Sequence, residues 1–122
     1  MIEQGAWWDY TDALAPRLGE MLLDQPRVIR RRLVAFSKAR SLWTRRVSII
    51  AQLALKERTD EALLYGNIER NWHDREFFVR KAIGWALRNH SKTEPAGVER
   101  FVRDNAGDLS PLSRREAMKH IE

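Results

Sequence analysis

Near the start of the chain, in the stretch WWDYTD, Trp8 and Asp12 stand four residues apart. On a helix that spacing stacks them on one face, so an aromatic ring and a carboxylate are presented together. Trp7, Leu14 and Leu18 fall in a narrow arc elsewhere on the same wheel and are expected to form its core stripe. Asp9 is expected to serve the free N–H groups of the helix start. A second grouping lies further on. Lys81, Gly84, Trp85, Arg88 and Lys92 share one helical face, while Val79, Ile83 and Leu87 form a separate apolar stripe. There Lys81, Arg88 and Lys92 could neutralise phosphates around a displayed Trp85. Equally, Trp85 could be half-buried under the aliphatic stems of its cationic neighbours. Gly84 costs the helix about 1 kcal/mol against alanine but lets another backbone come close.

Other chemistries find no support. Cysteine is absent, which removes disulfides, thiolate metal sites and thiol nucleophiles. His73, His90 and His120 are far apart and none has a ligand one helical turn away, so no metal site is expected. Ser41, Ser91 and Ser110 carry no triad signature, and no glycine-rich phosphate loop exists. What the chain does offer is positive charge. The net charge is +5, and between Gln25 and Lys56 nine basic residues occur with no acid: Arg27, Arg30, Arg31, Arg32, Lys38, Arg40, Arg45, Arg46 and Lys56. A one-sign segment of that length points to a polyanionic partner, most simply DNA or RNA. No apolar run approaches a membrane span, and the basic-then-apolar build of a signal peptide is lacking. With cysteine absent as well, a cytoplasmic location is expected.

These residues must be positioned by helices. The apolar spacing is helical nearly throughout, and no stretch combines period-two alternation with β-branched composition. A first helix is expected from about Ala6 to Leu23, kinked or broken at Pro16. Pro26 opens a second, ending near Ser37. Ser41 caps a third, LWTRRVSIIAQLALKE, Thr59 a fourth to about Asn71, and Asp74 a fifth through REFFVRKAIGWALRNH. A sixth begins at Pro95 and stops before Gly107. Ser113 and Glu116 read as the capping box of a short seventh. Residues 1–122 thus read as one all-α domain of stacked antiparallel helix pairs.

WWDYTD, LWTRRVSIIAQL, EFFVRKAIGWALRNHSKTEP and LSPLSRREAMKHI together resemble, in order and spacing, the C-terminal half of the AlkD-like DNA alkylation repair glycosylases. The resemblance implies a HEAT-like repeat solenoid whose concave face holds duplex DNA containing alkylated purines. It implies hydrolysis of the N-glycosidic bond of purines alkylated at ring positions 3 or 7, without a metal or organic cofactor and without flipping the lesion into a deep pocket. By motif, the catalytic aspartate falls on Asp12 and its neighbouring tryptophan on Trp8. The arginine falls on Arg46, with Arg45 exchanged for it by a one-residue slip, and the second tryptophan falls on Trp85.

Such a base is already cationic and leaves readily, so the enzyme must stabilise a cationic sugar and place a water. Asp12 would do both, the faces of Trp8 and Trp85 would hold the cationic nucleotide, and Arg46 would meet a flanking phosphate. Arg30, Arg31, Lys81, Arg88 and Lys92 would add backbone contacts. The alternative is a non-catalytic, or truncated and inactive, helical DNA-binding module. Asp12 favours the enzyme, because a carboxylate turned to phosphate is a cost that pure binding does not need. Half a solenoid also exposes apolar surface where a neighbouring repeat should stack, so self-association through the N-terminal end is expected.

Overall fold

A computed structural model of the protein describes residues 4–121, with side chains from position 10 onward. The expectations for the side chains of Trp7, Trp8 and Asp9 therefore lie outside the described residues. Seven α-helices form and no strand occurs among the described residues: α1 (Gln4–Asp24), α2 (Pro26–Ser37), α3 (Leu42–Ile50), α4 (Glu61–Asn71), α5 (Phe77–Ser91), α6 (Pro95–Asp104) and α7 (Pro111–Ala117).

Several boundaries differ from those expected, each for a local reason. α1 continues through Pro16 unbroken, because the ring is exposed and only one backbone bond of a 21-residue helix is forfeited. α3 stops at Ile50. Its apolar pattern runs on into a buried turn, where Gln52 donates to the Asp60 carbonyl at 3.1 Å and accepts from the Asp60 N–H at 2.7 Å. Lys56 then takes a left-handed φ of 53° to begin a single 3-10 turn, Lys56–Arg58. Asp60, not Thr59, caps α4 by accepting from the Leu63 N–H at 3.0 Å. α5 starts at Phe77, since the Asp74 carboxylate is taken by Arg45 and by the Glu76 N–H. Ser110 caps α7, not Ser113, which is buried and donates to the Arg80 carbonyl at 2.9 Å.

Two layers result. In one, α1 packs on α3, α3 on α5 and α5 on α7; in the other, α2 packs on α4, and α4 meets α6 through stacked Tyr65 and Phe101 rings 4.4 Å apart. Antiparallel helix pairs stacked in this way make a helical-repeat solenoid. One apolar cluster, around Ile50, Ile68, Ile83, Leu87 and Val98, fills the centre; a second, around Leu22, Ile29, Leu33 and Leu63, joins α1 and α2 to α4. Buried amides stitch the layers together. Asn67 donates to the carbonyls of Leu33 and Ser48 at 3.3 and 3.1 Å, and Asn71 to that of Ser37 at 2.9 Å.

The buried stripe of α1 matches the expected one in part: Leu18 packs on both apolar clusters, but Leu14 does not. Leu14 is 38% exposed, and Thr11, Ala15, Gly19 and Leu22 face inward. Small residues carry this stripe because α1 lies very close to α3, where a Cβ at Gly19 would overlap the carbonyl oxygen of Ala51. Asp12 sits immediately beside that stripe.

A buried arginine holds the candidate carboxylate

Asp12 on α1 and Arg46 on α3 meet 34 residues apart in sequence. Arg46 Nε donates to Oδ1 at 2.9 Å and Nη2 to Oδ2 at 3.0 Å, a forked pair that fixes the carboxylate in position and in plane. The third edge of the guanidinium, Nη1, donates to the Phe78 carbonyl on α5 at 2.7 Å. The pair is asymmetric toward solvent: the Arg46 side chain is 2% exposed, that of Asp12 19%. The cation is therefore hidden and the carboxylate forms the open end. Arg46 has little surface to offer a phosphate; its geometry is that of a residue holding Asp12.

Trp85 covers the same spot. It is 41% exposed, and the Arg46 guanidinium carbon lies 5.7 Å from its ring centroid, within cation–π range. One face of the indole thus rests toward the buried cation and the remainder is displayed. Close by, Trp43 and Phe78 pack at 5.2 Å, fixing the α3–α5 contact from which the Phe78 carbonyl reaches Arg46. Three successive helices of one layer build the site.

Around Trp85 the expected cations are present but engaged. Lys81 Nζ donates to Glu116 Oε1 at 3.0 Å, and Arg88 Nη1 lies 3.7 Å from Oε2. Arg88 Nε also donates to His120 Nε2 at 3.2 Å. Glu116 is buried, takes Lys119 as well at 3.1 Å, and its carboxyl is held below the usual carboxylate range by the hydrogen bonds from Lys81 and Lys119. Gly84 explains how α7 comes so near: a Cβ there would stand 2.6 Å from that of Glu116. Glu116 was not among the residues expected at the site. Its S-x-x-E spacing from Ser113 reads as a cap, and only the neighbouring Gly84 hinted at a close-packed helix. Lys92 follows the last residue of α5 and is exposed beside Leu53, Lys56, Glu57 and Glu94, apart from the Glu116 cluster.

The remaining basic residues divide. Arg45, next to Arg46, points elsewhere: it donates to Asp74 at 2.8 Å and to the carbonyls of Ala39 and Arg40 at 3.0 and 2.7 Å, clamping the α2–α3 link to the start of α5. Arg30 and Arg31 are exposed on α2, in the other layer, where Arg30 pairs with Asp60 at 2.9 Å. The structure does not bring them to Asp12. Among the described residues no group of three or more acids and histidines is placed to hold a metal ion, and no helix is long and apolar enough to cross a membrane.

The chain is similar to known proteins over nearly its whole length. The family model for DNA alkylation repair enzymes matches residues 1–121. A solved structure described as a predicted DNA alkylation repair enzyme from Enterococcus faecalis is 39% identical, with a TM-score of 0.84. That match covers 97% of this chain and 55% of the other, so the chain spans little more than half the length of that protein. No curated protein gives a significant match. With the match to the family model running through α1, α3 and α5 together, the chain belongs to the AlkD-like family of DNA alkylation repair enzymes.

Proposed function

We propose that the protein is a DNA N-glycosylase that releases purines alkylated at ring position 3 or 7 from duplex DNA. The observation that carries this reading is the forked Asp12–Arg46 pair, open on its carboxylate side and roofed by Trp85. A binding surface for phosphates has no use for a carboxylate fixed at its open end; a reaction that builds positive charge on a sugar does.

In the proposed reaction the bond between the sugar C1′ and the cationic base breaks, and its electron pair leaves with the base, which becomes neutral. Asp12 stabilises the cationic sugar electrostatically and orients a water, whose oxygen bonds C1′ while its proton passes to the carboxylate or to solvent. Trp85, together with Trp8 one turn before Asp12, holds the cationic nucleotide against electron-rich faces. Arg46 keeps the carboxylate from rotating away. The clustered Lys81 and Arg88 supply positive potential toward the phosphates.

The test is release of methylated purine from methylated duplex DNA, with Asp12→Asn as its control. Wild-type release that disappears in Asp12→Asn, at equal duplex affinity, supports the reading. Equal release by both proteins contradicts it, and tight binding without release by the wild type would identify a DNA-binding module instead.

A further inference from the structure

The arginines of α2 are the strongest charged feature that the Asp12 site leaves unused. Ile29, Leu33 and Ser37 are the buried stripe of that helix, which packs on α1, α3 and α4. Arg27 and Arg31 lie on its opposite side, one turn apart, and with Arg30 and Val34 they line an open groove. Arg30 is paired with Asp60, the residue that caps α4, at 2.9 Å. Arg32 is exposed on the same helix, and no acid occurs anywhere from residue 25 to 56.

We propose that this groove is a second site for the DNA phosphate backbone, in the layer away from Asp12, so that one molecule holds two duplex segments. The inference rests on DNA being the ligand of the first site. Guanidinium groups recognise phosphate by forked hydrogen bonds. A pair one helical turn apart, about 5–6 Å between Cβ atoms, suits neighbouring phosphates on one strand. Three of the four lining residues are arginines and Val34 is the only apolar one, so charge dominates what the groove can recognise. The duplex at Asp12 meets α1, α3 and α5. The outward side of α2 faces away from its contacts with α1 and α3, so Arg27 and Arg31 serve a different segment. Binding there reads no bases and is sensitive to salt.

The experiment counts short unmodified duplexes bound per molecule of the whole chain at low salt, by native mass spectrometry. Two are expected for the wild type and one for the Arg27→Ser/Arg31→Ser double variant, with the salt slope of total binding lowered by about 2. Arg27→Lys/Arg31→Lys keeps the charge and is expected to retain the second duplex. Equal melting temperatures show that the exposed positions leave the fold intact. A wild type that binds one duplex, or a serine variant that binds two or none, overturns the inference. Failure here is distinct from failure of the glycosylase reading. Base release with a single bound duplex removes the second site alone, and two bound duplexes without base release removes the glycosylase alone.

Discussion

Asp12 and Arg46 bear on stability as well as on chemistry. Removing one member of a buried, hydrogen-bonded ion pair leaves the other uncompensated, which costs about 3–5 kcal/mol where burial is complete. Asp12 retains some exposure, so Asp12→Asn is expected at the lower end, about 3 kcal/mol by urea denaturation. Activity comparisons must therefore be made well below the variant's unfolding midpoint. Arg46→Lys is the sharper probe of geometry, because an ammonium is a point charge and cannot serve both Asp12 oxygens and the Phe78 carbonyl at once. A fall of tenfold or more in base release with duplex affinity unchanged is the expected result; unchanged release would show that the fork is dispensable. A separate residue reports on the other layer. The Tyr65 phenol, stacked on Phe101, is pushed from 10.0 to about 12 by burial and by Glu61 and Glu94. Its unfolded form thus ionises first, so its stabilising share is complete below about pH 10 and is lost as pH rises through about 12. Alkaline melting curves should show that loss, and Tyr65→Phe should flatten it. Helix spacing placed Asp12 off the expected core arc, but nothing in the spacing pairs it with a residue 34 positions on. Arg46 was legible only through the family resemblance.

The helices approach one another through glycine at two places, Gly19 against the end of α3 and Gly84 against α7, and the second adjoins the site. At Gly84 a methyl group would meet the Glu116 Cβ at 2.6 Å, so Gly84→Ala must push α7 outward and loosen the grip of Glu116 on Lys81 and Arg88. A loss of about 1–3 kcal/mol, typical of overpacking, is expected by thermal melting. The Glu116 cluster also carries an acid dependence. Its carboxyl is depressed below 4.5 by Lys81 and Lys119, so the stability it supplies is complete above that value and is lost as pH falls through the folded one. Glu116→Gln should abolish this acid-dependent part, and an unchanged acid melting profile would dissociate α7 docking from the carboxylate. The helices themselves were largely legible, because prolines and 3.6-residue periodicity mark them. Their ends were misjudged where a polar residue had a tertiary partner. Asp74 is drawn to Arg45, and Ser113 and Glu116 to α5, so each matches a capping pattern without acting as the cap. The α3 end was hidden for another reason: buried apolar residues in a turn continue the helical pattern they have left.

At the scale of the molecule, the first two helices display single apolar side chains among exposed charges such as Arg17, Glu20 and Asp24. Leu14 and Met21, two turns apart on α1, are 38% and 44% exposed, and Val28 at the start of α2 is 51% exposed. In a helical-repeat stack the end pair is where the next helix pair packs, and exposed apolar side chains there favour association. For the present chain the expected outcome is reversible self-association, visible as an apparent mass that rises with concentration in sedimentation or light scattering. With a net charge of +5 the molecules repel one another, so association should strengthen with added salt, opposite to the salt response of DNA binding. Met21→Lys replaces one of these exposed apolar side chains by a charge and should restore a constant monomer mass without lowering the melting temperature, since Met21 lies outside both core clusters. A monomer mass that stays constant for the unaltered chain up to high concentration would show that these exposed side chains drive no association.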